Sequence, residues 1–183
     1  MKKVQYVCGL ALLVAASLTL LPVLEAADNP APDSPEVSEL LSQAKSHANQ
    51  LRNDADTMKS FSAGKLSWQS HAERIRMIKD HTNDLGKVLQ EMSDKRQSAS
   101  PWQQAAIDRI TPLARELAAN IETTIEHINN NRDQLHTPRY REYLSANFEV
   151  TSSLAKLIND LVEYGQNKAK YESLGKALEV PGM

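Results

Sequence analysis

Cysteine is almost absent from this sequence: the 183 residues contain one, Cys8, inside an apolar run that we expect to be removed. The remaining chain would then have no disulfide and no thiol chemistry, so packing must stabilise it. Glycine is sparse, with 6 residues, and aromatic residues make up only 5%, which favours helix over sheet. The formal net charge of −2 includes no basic block, and nucleic acid is therefore not an expected partner.

The N-terminus has the three parts of a secretory signal. Lys2 and Lys3 precede an apolar run over residues 4–24, and the small residues Ala26 and Ala27 follow it. This order predicts a signal peptide over residues 1–26 that is cleaved after Ala26 or Ala27, and hence a periplasmic or secreted protein. The alternative is an uncleaved anchor helix, because about 20 apolar residues can span a bilayer.

The rest of the chain is expected to form one domain. Residues 27–33 contain two prolines and no apolar period, which predicts a flexible leader. A helical domain is predicted over residues 34–178, with a disordered tail over residues 179–183. No stretch alternates apolar and polar residues as a strand would.

Three dipeptides mark helix starts, because each places a hydroxyl at the N-cap and a proline at the first helical position. They are Ser34-Pro35, Ser100-Pro101 and Thr137-Pro138. A fourth start is expected near Ser67, after Gly64, which we predict to end the first helix in a left-handed conformation. Helices are therefore predicted over about residues 35–62, 67–96, 101–129 and 138–174, the last one passing Gly165 with a possible break.

Each predicted helix carries one apolar stripe with steps of three and four residues. Val37, Ala44, Leu51 and Met58 are spaced by whole heptads, which indicates coiled-coil packing at shallow angles. Four long helices joined by short turns predict an all-α fold, an antiparallel up-down-up-down four-helix bundle. A pair of helical hairpins that dimerises is the alternative. Trp68 and Trp102 would cover the core at opposite ends of such a bundle.

A metal or b-type haem site would have to use the histidines near the stripes. Helical rise places His71, His127, Met58 and Tyr143 at a similar depth in the bundle, and His71, His127 and Met58 are the candidate metal ligands. The sequence contains neither a His-x-x-x-His pair nor the Cys-x-x-Cys-His motif of covalent haem. We therefore expect these residues to be structural and expect no cofactor.

Catalytic signatures are lacking as well. No serine lies in a Gly-x-Ser-x-Gly motif, and no glycine-rich loop precedes a helix. Glu122 and Glu126 are one helical turn apart, which on an exposed face indicates solvation rather than a pair of catalytic carboxylates. The sequence therefore predicts no catalytic residue, no cofactor-binding residue and no enzyme.

The leading functional prediction is an exported, non-enzymatic helical bundle of the cell envelope. It would act by protein–protein contact, including self-association, or as a structural or stress-related periplasmic factor. One alternative is a metal- or haem-binding bundle, and another is a membrane-anchored sensor or tether that keeps its N-terminal helix. A membrane is an expected partner only in that last case.

Overall fold

A computed structural model describes residues 31–64 and 66–178, which form four long α-helices with no strand among them. The helices are α1 (Pro35–Ser60), α2 (Trp68–Asp94), α3 (Pro101–Asn130) and α4 (Pro138–Ala177). The all-α class is thereby confirmed. The predicted signal peptide 1–26, residues 27–30 of the leader and the predicted tail 179–183 lie outside the described residues. Within the described part, no helix combines the length and the apolar character needed to cross a membrane.

The helices begin where the cap residues predict. The side chains of Ser34 and Thr137 accept hydrogen bonds from the backbone N–H groups of Val37 and Tyr140, at 3.3 and 3.4 Å. At the start of α3 the amide oxygen of Gln103 accepts from the backbone N–H of Ser100 at 3.1 Å. These bonds satisfy N–H groups that have no partner inside the helix, and they therefore locate the ends of α1, α3 and α4.

The predicted left-handed cap at Gly64 is wrong. Gly64 has φ −106° and ψ 166°, which is extended backbone that any residue adopts. The end of α1 tightens instead into a 3₁₀ turn over Phe61–Ala63, and the N–H of Gly64 donates to the carbonyl of Phe61 at 3.1 Å. A 3₁₀ turn supplies partners for the last carbonyl groups without a residue at positive φ.

Each helix packs against two others. α1 lies against α2 and α4, and α3 lies against the same two helices, around one continuous apolar core. The heptad positions predicted to face inward on α1 are all buried, none more than 1% exposed: Val37, Ala44, Leu51 and Met58. Burying an aliphatic side chain of this kind contributes about 1.5–3 kcal/mol, so these stripes hold the four helices together.

Two residues that commonly disrupt helices are accommodated. The apolar stripe stays in phase across Pro112, which predicts one helix with a kink there, and α3 does continue through Pro112. α4 continues through Gly165 without a break. At Gly165 the missing side chain is replaced by the indole ring of Trp102, since a Cβ atom there would lie 2.9 Å from the ring. Gly165 thus lets the start of α3 approach the backbone of α4.

Gly165→Ala and Gly86→Ala form a matched pair. A methyl group at Gly86 meets nothing within 4 Å, so this variant should gain up to about 1 kcal/mol of helix propensity. Gly165→Ala forces the Trp102 ring to move, and its free energy of unfolding should be lower than that of Gly86→Ala by about 1–3 kcal/mol. Urea unfolding of both variants measures this difference. Equal stabilisation by the two alanines would contradict the close packing of Trp102.

Candidate functional site

A cluster of aromatic and imidazole rings lies at one end of the bundle, which we call the turn end because it holds the 3₁₀ turn and the connection over residues 131–137. Three α-helices and the 3₁₀ turn after α1 contribute rings to it. α2 supplies His71 and α3 supplies His127, while α4 supplies Tyr140 and Tyr143 one turn apart. Phe61, from the 3₁₀ turn, packs edge-on against His71.

Tyr140 is the centre of this cluster. Its hydroxyl group is hydrogen-bonded to Nδ1 of His71 at 2.8 Å, and its ring stacks on His127 with the centroids 5.5 Å apart and the planes 14° apart. The Tyr143 ring also contacts His127, edge-on, with the ring centroids 5.2 Å apart. The structure therefore brings together three residues that helical rise places at one depth, His71, His127 and Tyr143, and adds Tyr140 between the two histidines.

Burial keeps this cluster uncharged near neutral pH. Desolvation lowers the pKa of His71 below its ordinary value and raises the pKa of Tyr140 above its own. The pKa of His127 is also lowered, first by burial and then by the positive charge of Arg139. His71 and Tyr140 are therefore joined as a neutral imidazole and a neutral phenol by one hydrogen bond, which suits the interior because no charge is buried.

Next to the rings, a groove of about 830 Å³ runs between the end of α3 and the start of α4. His127 and Tyr143 line this groove, and Arg139, Glu126 and Glu142 add side chains of both signs of charge. The Nε2 atom of His127 is buried and has no hydrogen-bond partner among the described residues. The groove is open and polar rather than an enclosed apolar pocket.

The outer surface of the turn end carries further aromatic and arginine side chains. The guanidinium of Arg132 lies over the Trp68 ring, 4.2 Å from its centroid, and Arg139 donates to the hydroxyl of Tyr143 at 3.0 Å. Leu66 is 45% exposed beside them. Tryptophan, tyrosine and arginine are the residue types enriched in protein interfaces.

The metal role of His71, His127 and Met58 stays a prediction. Met58 is buried in the apolar core, and Tyr140 occupies the Nδ1 atom of His71, which leaves only its Nε2 for an ion. In residues 31–64 and 66–178, no three His, Cys, Asp or Glu side chains lie close enough to hold a metal ion.

Sequence reasoning missed a buried carboxylate on the face between α1 and α2. Asp54 accepts from Nδ1 of His81 at 2.7 Å, from Arg74 at 3.3 Å and from Gln50 at 3.2 Å. Its side chain is only 6% exposed. The available signal was its position three residues after Leu51 and four before Met58, where an apolar side chain is expected. Charged partners and an amide donor replace water around this carboxylate, as burial requires.

A second polar network lies at the opposite end of α1, which we call the leader end. Asp33 accepts from the indole N–H of Trp102 at 2.6 Å and from Lys168 of α4 at 3.0 Å. Burial raises the pKa of Asp33, but hydrogen bonds from Ser100, Lys168 and Trp102 outweigh it, so the net pKa is below its ordinary value. Asp33 is thus held as a carboxylate.

Gln103 completes the leader end. It is fully buried, and its amide group both accepts from the backbone N–H of Ser34 and donates to the Ser34 carbonyl, each at 2.8 Å. The pattern Ser100-x-x-Gln103 signals a capping box, but only the structure shows that the same glutamine also joins α3 to the start of α1.

Three comparisons with known proteins found no relative of this chain. No family model matches it, and the searches of curated proteins and of solved structures found no match. The function must therefore be inferred from the residues described above.

The buried histidines should make the bundle less stable in mild acid. The pKa of His71 is lower in the folded state than in the unfolded chain. Below about pH 6.5 the unfolded chain therefore binds more protons than the folded protein, and the free energy of unfolding decreases as the pH is lowered. Urea unfolding between pH 8 and pH 5 measures this fall.

His71→Gln should flatten the acid response, since glutamine does not titrate. His136→Gln is the control, because His136 is exposed in the connection over residues 131–137 and should leave the response unchanged. An identical pH dependence in His71→Gln and the unmodified protein would show that His71 is not the group responsible.

Proposed function

We propose that this chain is an exported, non-enzymatic helical bundle of the cell envelope that acts by contact with a protein partner, or as a structural or stress-related factor there. The observation that carries this proposal is the turn end, where half-buried aromatic side chains, exposed arginines and the exposed Leu66 lie at or beside an open groove. Their chemistry suits adhesion to a protein surface. We place the protein in the periplasm or the medium, on the strength of the signal sequence over residues 1–26.

The proposed architecture is an antiparallel up-down-up-down bundle. Contacts between α1 and α2 support it, because Glu36 near the start of α1 pairs with Lys95 just after α2, whereas Asp54 late in α1 pairs with Arg74 early in α2. Between α1 and α4, Asn49 and Asn159 exchange amide hydrogen bonds at 3.3 and 3.1 Å. The turn end and the leader end are then the two ends of a rod about 40 Å long.

Polar groups inside the bundle support a non-catalytic role. The buried groups that would be the obvious acid–base candidates, His71 and Asp54, are each bound by side chains of neighbouring helices. A general acid or base has to reach a proton on a substrate, and these two groups instead hold helices together. The groove at the turn end is lined by side chains of both signs of charge, a composition suited to docking a side chain or a peptide segment.

Export is tested by N-terminal sequencing of the protein isolated from cells. We expect the first residue to be Ala27 or Asp28, with the protein recovered from the periplasm or the medium. A first residue at Met1 in membrane fractions would replace this proposal with the anchored alternative.

Partner contact is tested by photo-crosslinking in intact cells. A photoreactive residue in place of Leu66, which is 45% exposed at the turn end, should give one dominant protein adduct. The matched control is the same residue in place of Lys156, whose side chain is 78% exposed on the middle of α4. Trp68→Ala should reduce the Leu66 adduct. Equal adducts at both positions, or none at Leu66, would contradict a contact role for the turn end.

A further inference from the structure

We infer that the last part of α4, residues 164–178, binds the surface of a bilayer that contains anionic phospholipid. This surface is at the leader end, away from the turn end, and the inference does not depend on the protein partner proposed there.

The last part of α4 is not covered by the other helices. α4 is 40 residues long, against 26, 27 and 30 for α1, α2 and α3. Its last buried residue is Val162. Beyond the contacts of Gly165 and Lys168 with the leader end, the helix continues to Ala177. Four large apolar side chains on this segment are exposed: Tyr164 by 52%, Tyr171 by 66%, Leu174 by 47% and Leu178 by 70%.

Three of these side chains, Tyr171, Leu174 and Leu178, form a stripe that faces away from the bundle, while Tyr164 at its start lies edge-on against the Trp102 ring, with the centroids 5.1 Å apart. Tyr164, Tyr171 and Leu178 are seven residues apart, and at about 100° per residue each step turns the direction by only about 20°. Val162 precedes Tyr171 by nine residues, or roughly two and a half turns, so it points to the opposite side. The stripe is therefore not a continuation of the core-facing side of α4.

The charge of the segment complements an anionic surface. Residues 164–178 contain three lysines and one glutamate, a formal charge of +2, whereas the whole chain carries −2, so the remainder carries −4. Lys168 is bound to Asp33 and Glu172. Lys170, beside the stripe, is the lysine best placed to reach lipid headgroups, and Lys176 lies on the far side of the same helix.

The composition of the stripe matches that of helices that lie in a membrane interface. Such helices have apolar side chains on one face and lysines beside them, with charged heads reaching the headgroups. Tyrosine prefers the boundary between water and hydrocarbon because its ring is apolar and its hydroxyl group is polar. Two tyrosines and two leucines give a shallow, reversible attachment rather than a span.

The chain also enters the bundle at this end. Asp33 contacts Lys168, so the 30 residues before Ala31 join the structure beside α4. The apolar run over residues 4–24 ends seven residues before Ala31, a distance of at most about 25 Å when extended. Only where residues 4–24 are retained in a membrane is the stripe on α4 within reach of the same surface through this connection.

A bilayer fits the stripe better than a second copy of the chain. Two copies paired along this segment would bring +2 against +2, which opposes association. The apolar run over residues 4–24 is a third possible occupant of the stripe, but covering the stripe with it would give the neighbouring Lys170 no role. Both of these occupants predict outcomes that differ from those of lipid binding.

The test is co-flotation of the protein, as isolated from expressing cells, with lipid vesicles. We expect binding to vesicles of phosphatidylglycerol and phosphatidylcholine, weaker binding to phosphatidylcholine alone, and loss of binding in high salt. Tyr171→Gln with Leu174→Gln and Leu178→Gln should lower the partition coefficient by about tenfold or more. Lys170→Gln should lower it by about fivefold on anionic vesicles only, whereas Lys176→Gln, on the far side of the helix, should have a smaller effect.

Leu66→Gln is the matched control, because Leu66 is an equally exposed leucine at the turn end and should leave flotation unchanged. Circular dichroism and urea unfolding of every variant check that the bundle still folds. If sequencing shows that residues 4–24 are retained, the readout becomes the blue shift of an environment-sensitive dye at Leu178→Cys, in a Cys8→Ser background, in anionic against neutral vesicles.

Three results would overturn the inference. One is flotation that is equal on neutral and anionic vesicles or unaffected by the stripe substitutions. Another is a dimer of the unmodified protein in light scattering that the stripe substitutions dissociate, which would assign the stripe to a second copy. The last is a dye at Leu178→Cys that reports an apolar environment without lipid, which would assign the stripe to another part of the chain.

Discussion

The whole structure depends on one constraint, that every helix must bury an aliphatic side against its neighbours. The described domain contains no cysteine, so no covalent link assists this packing. α1 meets the constraint with residues one heptad apart, which are all buried: Val37, Ala44, Leu51 and Met58. Each of the other helices packs against two neighbours in the same way, and the loss of one stripe would expose parts of two more.

This constraint also decides what polar groups in the interior can do. A histidine or a carboxylate in such a core needs a partner that replaces water. His71 finds the hydroxyl of Tyr140, and Asp54 finds His81, Arg74 and Gln50. Each of these groups joins two helices, α2 with α4 in the first case and α1 with α2 in the second. Polar groups at these positions therefore act in helix pairing, and the contacts proposed for this protein use the ends of the bundle instead.

The two ends have different chemistry because different residues close them. At the turn end, rings from three helices stack beneath an arginine-bearing surface and an open groove. At the leader end, the Asp33 carboxylate joins Trp102 to Lys168, and α4 continues past this network with its apolar residues on the outer side. If both proposed contacts form, the rod would hold a protein partner at a fixed distance from a membrane.

Much of the fold could be predicted from the sequence, because the relevant signals are local. A hydroxyl residue followed by proline predicts the starts of α1, α3 and α4, and apolar steps of three and four residues predict which side of each helix is buried. Even the continuity of α3 across Pro112 follows from the phase of its stripe. The all-α class therefore needed no knowledge of how the helices pack. Gly64 shows the limit of local rules, because a 3₁₀ turn ended α1 by a different route.

Only the tertiary structure decided which polar side chains meet. Helical rise placed His71 and His127 at one depth, but the interposed Tyr140 ring depends on how α4 is rotated against α2 and α3. Asp54 with His81, and Asp33 with Lys168, join residues far apart in the chain. The amino-acid order by itself determined the helices and their buried sides, because those follow from backbone hydrogen bonds and a 3.6-residue period. Partnerships across helices depend on rotation and register, which only the packed core determines.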